Sequence, residues 1–198
     1  MSLQLSRRLL IASGLATWAT TGLAAPQRYD LVKERSRVAF LFKVNGAAQT
    51  GTVPVSTADI RVDPRNLAAS SADVTADIRR AKTGMLFVTQ ALLGASVLDA
   101  ANHPLVRYTS TRIILGRSGR ISEGAKIEGQ LTLRGATRPL QLAATLTRPP
   151  GSAPDDLSVL NIRLNGTLSR RDFGATGYPN LVDDTVALDI NAEIRAQG

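Results

Sequence analysis

Six stretches of this chain alternate apolar and polar residues with a period of two, and this alternation limits the fold more than any other feature. From Val38 the even positions are Val38, Phe40, Phe42 and Val44, against Arg37, Ala39, Leu41 and Lys43. Ala72, Val74, Ala76 and Ile78 alternate with Ser71, Asp73, Thr75, Asp77 and Arg79. Ile127, Gly129, Leu131 and Leu133 do so with Lys126, Glu128, Gln130, Thr132 and Arg134, and Leu140, Leu142, Ala144 and Leu146 with Gln141, Ala143, Thr145 and Thr147. Leu160, Ile162, Leu164, Gly166 and Leu168, then Val186, Leu188, Ile190, Ala192 and Ile194, complete the set. Successive side chains of a strand point to opposite faces, so each stretch predicts a strand with one buried face. Weaker strands are expected near 51–62, where the phase changes between Val55 and Ala58 and predicts a bulge, and near 105–115. Gly135-Ala136-Thr137 predicts a hairpin turn.

Strands joined in sequence by short loops make an antiparallel meander, whose apolar face must be covered. The only helical candidate runs from about Met85 to Leu93, too little to cover such a sheet. The expectation is an all-β fold, an antiparallel barrel of about eight strands closed on itself.

The inward row holds Ala72, Ala76, Gly129, Ala144, Gly166 and Ala192, where a filled barrel favours branched residues. Alternation alone leaves two fillings open. Large neighbours can interdigitate with the small residues to make a solid core, or a guest can occupy the space. In the second case the lining is Val38, Phe40, Phe42, Val74, Ile78, Leu131, Leu142, Ile162, Leu164, Leu188 and Ile190, aliphatic or aromatic and uncharged, which suits a long apolar molecule.

Residues 1–24 have the parts of an export signal: Arg7-Arg8, an apolar stretch from Leu9 to about Leu23, and small residues at the end. Cleavage after Ala24 is expected, leaving one domain over 25–198, and export implies a periplasmic location. Ser6-Arg7-Arg8-Leu9-Leu10-Ile11 resembles a twin-arginine signal, with the general secretory route as the alternative. Loss of Arg7 and Arg8 lowers the formal net charge from +8 to +6. The remaining basic residues come in twos and threes, with no run of the nucleic-acid type; a solvated surface with transient attraction to a membrane is expected instead.

The chain has no cysteine and one histidine, which removes thiolate chemistry and two-histidine metal sites. His103 precedes Pro104 in a turn with no nucleophile tied to it by spacing, so a structural role is expected. Asp155-Asp156 and Asp183-Asp184 sit beside loop signals and read as turn caps. In Arg170-Arg171-Asp172-Phe173-Gly174, an arginine is expected to pair with the aspartate and the phenylalanine to close the barrel end. No catalytic residue, metal site or required cofactor is assigned, and the expectation is a protein that is not an enzyme.

Several segments together resemble the YceI-like periplasmic proteins, also described as polyisoprenoid-binding. They are Tyr29-Asp30 with Ser36-Arg37-Val38-Ala39-Phe40, Leu98-Asp99-Ala100 with His103-Pro104, Glu128 to Pro139, and Ser169-Arg170-Arg171-Asp172-Phe173-Gly174. The resemblance spans Tyr29 to Ile194. It implies an extended, lipocalin-like barrel with an apolar tunnel holding an isoprenoid, and a short helix at the mouth. The chain departs from the family at Arg35 and Asn45, where histidines are usual. Leu86-Phe87-Val88-Thr89-Gln90-Ala91-Leu92-Leu93 replaces a charged segment, so Leu86 and Phe87 join the expected lining as a lid, or the helix is a plug of ordinary core.

Two functions follow. The first is a non-enzymatic carrier holding a polyisoprenoid, quinone-like or other long lipid. The second is a solid barrel docking an exported or membrane partner. An edge-to-edge or face-packed homodimer stays open.

Overall fold

A computed structural model describes residues 26–116, 123–153 and 156–197. The expected export segment and Asp155 lie outside the described residues. In chain order the strands are β1 (Gln27–Leu31), β2 (Arg37–Val44), β3 (Ala47–Val53), β4 (Val55–Val62), β5 (Ser71–Asp77), β6 (Lys82–Thr83), β7 (Leu105–Leu115), β8 (Ala125–Leu133), β9 (Ala136–Thr147), β10 (Val159–Ser169) and β11 (Thr185–Ala196), with α1 (Leu86–Leu93) after β6. All pair antiparallel, and β11 returns to both β1 and β2, which closes the sheet.

Three pairs of these segments are halves of single long strands. β1 and β2 are parted by a 3-10 turn at Lys33–Arg35, β3 and β4 by Pro54, and β5 and β6 by a 3-10 turn at Ile78–Arg80. Joined in this way, the strands form a closed antiparallel barrel of eight. Pro54 interrupts its strand because it has no N–H to donate to a ladder. Its carbonyl still accepts from the Asp77 N–H at 3.0 Å.

The phase change read in the sequence is a register shift in β4 between Val55 and Thr57, opposite β5. The β8–β9 turn lies one residue earlier than expected. Leu133 pairs with Ala136, so the loop is Arg134-Gly135, with φ of 51° and 74°. Asn45-Gly46 makes the matching β2–β3 turn, with φ of 53° and 78°. Two-residue hairpins with both φ positive twist with the strands, and asparagine and glycine bear that backbone at least cost.

Buried side chains gather at the two ends of the barrel. Tyr29, Val62, Leu160 and Ile194 plug one end, where the Tyr29 hydroxyl donates to the Leu157 carbonyl at 2.8 Å. Ile78, Leu131, Leu133, Leu140, Leu142 and Phe173 pack at the other, against Leu93 and Leu98 from α1 and the loop after it. Phe173 thus helps to close a barrel end.

Candidate functional site

Between the end clusters lies a cavity of about 600 Å³ with an almost wholly apolar wall. Ligand pockets commonly span about 300–1,000 Å³. Val38, Phe40, Phe42, Val74, Ile78, Phe87, Leu131, Leu142, Ile162, Leu164, Leu188 and Ile190 all contribute to the wall. Leu86 does not: it is 76% exposed on the outer side of α1. The expectation for Leu86 is corrected by helix geometry, since Val88, Ala91 and Leu92, spaced three and four apart, already occupy the inner stripe.

The inward residues Val38, Phe40, Val74, Leu164, Leu188 and Ile190 are only half-buried, although they point away from bulk water. Their uncovered surface faces the cavity. A well-packed interior leaves few such voids, so this barrel is hollow and the solid filling is excluded.

The small inward residues divide into two groups. Ala72, Ala76 and Ala192 lie on the cavity wall. Gly129 and Gly166 do not, because larger neighbours take their space. A Cβ on Gly129 would stand 2.4 Å from the Tyr108 ring, and one on Gly166 would stand 2.7 Å from Leu142 Cδ2. Gly51 admits Phe40 in the same way, with 2.1 Å between a built Cβ and the ring. Ala144 is also absent from the wall. The interdigitation weighed from the sequence therefore operates at these glycines, around a void that persists.

Few polar groups reach the wall, and local bonds engage two of them. The Tyr108 hydroxyl donates toward the carbonyls of Ile127 at 3.1 Å and Leu140 at 3.4 Å. Burial, with a smaller contribution from Glu128, pushes its pKa up to about 12. Arg170 is only 5% exposed and is wrapped by backbone oxygens. Its guanidinium donates to Asp183 O at 3.0 Å, Gly177 O at 2.8 Å and Val182 O at 2.9 Å, and also to Ala175 O. Burial, then the neighbouring Arg171 charge, lowers its pKa. The expected pairing with Asp172 is absent; Arg171 instead approaches Asp184 at 3.8 Å.

Arg170 thus holds the loop 174–184 against the barrel. That loop also bonds to the β2–β3 turn through Asn45 N to Leu181 O at 2.7 Å, and to the loop after α1 through Gly177 N to Ser96 O at 2.7 Å. A second arginine secures the facing segment. Arg134, drawn into the β8–β9 turn, donates to Ala95 O and Val97 O, both at 2.8 Å. Its reading as a free outward charge is corrected by the positive φ that turns it out of the strand's alternation.

Phe87, Tyr178 and Leu181 are exposed yet belong to the cavity wall, so the cavity meets solvent between α1 and the 174–184 loop. Tyr178 and Leu181 escaped the sequence reading because they lie in a loop with no period. The one available signal was apolar residues among the turn formers Gly177, Pro179 and Asn180.

Other candidate residues take structural positions. His103 Nε2 lies 3.9 Å from Asp99, and its ring sits beneath Gly135 of the hairpin turn. Asp156 accepts from the Ser158 N–H at 2.9 Å and hydroxyl at 2.6 Å, and Asp184 accepts from the Arg171 N–H at 3.0 Å, both as turn caps.

The family model of the YceI-like domain matches residues 29–194, and the chain belongs to this family. A UPF0312 protein of Pectobacterium carotovorum subsp. carotovorum is 25% identical over 175 residues, covering 87% of this chain and 88% of the relative. One from Vibrio cholerae serotype O1 is 26% identical over 174 residues, covering 85% and 88%. Among solved structures, Burkholderia cenocepacia BcnA superposes with a TM-score of 0.72 at 18% identity, covering 83% of this chain and 99% of that one. A domain from Saccharophagus degradans, described as polyisoprenoid-binding and implicated in plant cell wall breakdown, gives 0.57 at 13% identity, covering 86% and 99%. At these identities the structural likeness establishes the fold: a closed antiparallel barrel of the YceI, lipocalin-like kind.

Proposed function

We propose that this protein is an exported, non-enzymatic carrier that holds a long apolar chain, of the polyisoprenoid or quinone-like class, inside the barrel. The hollow apolar cavity carries this reading. Each methylene moved from water into it gains about 0.8 kcal/mol, less the cost of ordering the chain. Family membership and the name of the Saccharophagus degradans domain support the ligand class. The signal-like residues 1–24 support export and a periplasmic location. A carrier role suits the wall's chemistry, since Tyr108 titrates far above neutrality and the Arg170 N–H groups are turned to carbonyls. The head group stays at the mouth, beside solvent.

The test is organic extraction of protein purified from a bacterial host expressing the full chain, followed by mass spectrometry, together with displacement of a fluorescent prenyl probe. Co-purifying prenyl lipid at near-stoichiometric amounts, with probe displacement by it, is the expected result. Protein free of lipid that also ignores the probe would overturn the proposal.

A further inference from the structure

The outer side of α1 has a composition that a carrier's interior does not explain. Leu86 is 76% exposed and Phe87 67%, with Met85 exposed beside them, on a helix of eight residues. Across the mouth, Tyr178 and Leu181 are exposed on the loop held by Arg170. Isolated exposed apolar residues need no account, but several gathered on one rim mark an interaction surface.

Charge identifies the partner. From Ile78 to Leu98 the chain carries Arg79, Arg80 and Lys82 and no acidic residue. Arg79 is paired with Asp77 at 2.9 Å, whereas Arg80 and Lys82 are exposed and make no ion pair among the described residues. A short element with exposed apolar side chains beside unpaired cations fits the boundary of an anionic bilayer: the apolar groups enter among the acyl chains and the cations meet head-group phosphates. At eight residues α1 is too short to span and would lie in the plane of the surface.

The rim is also continuous with the cavity. Leu86 is wholly outside, Phe87 is both exposed and on the wall, and Val88, Ala91 and Leu92 line the interior. From this we infer that the protein docks on anionic phospholipid bilayers through Leu86 and Phe87, with Arg80 and Lys82 as head-group contacts, and exchanges its apolar ligand there. A bilayer is favoured over a second copy of the chain because a second copy on this rim would seal the mouth through which the ligand moves. The inference rests on the carrier reading for its purpose, and its test separates the two.

Protein purified from cells expressing the full chain is sedimented with vesicles of phosphatidylglycerol and phosphatidylcholine, and with phosphatidylcholine alone. Transfer of a fluorescent prenyl probe from the vesicles and equilibrium affinity for that probe are measured in parallel. Leu86→Glu changes a residue outside the cavity, and Leu86→Ser provides a second variant without added charge. Both are expected to cut the vesicle-bound fraction and the transfer rate about tenfold while leaving probe affinity unchanged. Arg80→Gln with Lys82→Gln is expected to weaken binding several-fold, only on anionic vesicles and less at high salt. Wild-type protein that ignores anionic vesicles, or Leu86 variants that bind them like wild type, would overturn the inference. So would a self-association seen by sedimentation velocity that Leu86→Glu abolishes, which would assign the rim to a second copy. Vesicle binding that depends on Leu86 in a protein that takes up no probe would sustain this surface and refute the carrier.

Discussion

Adding bulk to two inward positions should have opposite effects on stability. Ala72 stands on the cavity wall, whereas the space in front of Gly129 is filled by Tyr108. Ala72→Phe sends a ring of six carbons into the void, where it displaces about three to five methylenes of a guest. At about 0.8 kcal/mol each this costs roughly 2.5–4 kcal/mol of binding, a loss of roughly 50- to 1,000-fold in affinity. The ligand-free protein should gain about 1 kcal/mol, since the ring covers wall that is otherwise bare. Gly129→Leu places its Cβ 2.4 Å from the Tyr108 ring and 2.6 Å from the Thr109 carbonyl oxygen, a contact that requires backbone to move. Overpacking of that kind costs typically about 1–3 kcal/mol, and a contact with backbone falls at the upper end. Urea unfolding of delipidated protein and titration with a fluorescent prenyl probe measure both effects. If Ala72→Phe destabilises the ligand-free protein as much as Gly129→Leu does, the interior is packed and the argument for a hollow barrel is wrong.

Arg170→Met removes the donor to four carbonyls and should cost about 3–5 kcal/mol if the loop stays in place. Detachment relieves that cost, so hydrogen exchange at the Gly177 and Val182 amides should accelerate well before global unfolding. Tyr108→Phe should lose about 1 kcal/mol in urea unfolding, and the wild-type protein should show one tyrosine that resists ionisation until about pH 12 in ultraviolet titration. Asp73 is held below the ordinary carboxylate range chiefly by its bond from Arg107. Its stabilisation is therefore full above the unfolded-state pKa and drains away as pH falls through the lower folded value. Asp73→Asn should flatten that acid limb of the urea midpoint against pH while changing little above it.

The strands were legible because each stretch has one wet face and one dry face, and only a period of two satisfies both. The weaker strand near 51–62 and its phase change after Val55 follow from that rule, and the need to cover the dry face predicts a closed sheet; that β11 closes on β1, a strand of only five residues, had no such signal. The rim was not legible. Arg134 and Arg170 look like surface charges in sequence, yet both end on backbone carbonyls: Arg134 on Ala95 and Val97, far back along the chain, and Arg170 on those of the loop that follows it. An arginine that binds carbonyls leaves no complementary residue type to be noticed, because every residue has a carbonyl. Gly129 misled in a related way. A missing side chain looks the same in sequence whether the space is empty or filled by Tyr108 from the neighbouring strand.

The interruptions in the barrel lie side by side, and this accounts for where the cavity opens. The turn at Lys33–Arg35, Pro54 and the turn at Ile78–Arg80 fall on three adjacent long strands, with Asp77 N bonded to Pro54 O between two of them. Beyond that level β6 pairs only with β3, for two residues, and no strand continues the sheet from β6 to the β8–β9 hairpin among the described residues. The loop after α1 and the start of β7 occupy this gap, where Ile78 N bonds Pro104 O at 2.8 Å. Elsewhere the wall is laddered; β10 and β11 alone share eleven paired positions. A guest leaving through the wall would have to part such a ladder, whereas one leaving by the rim disturbs α1 and two loops held by the carbonyl bonds of Arg134 and Arg170 and by a few isolated backbone bonds. Segments with few ladder bonds open at the lowest free energy, so for the carrier proposed above the rim is the expected route of exchange. Loosening Arg134 or Arg170 is then expected to speed release of a bound prenyl probe, measured by stopped-flow displacement.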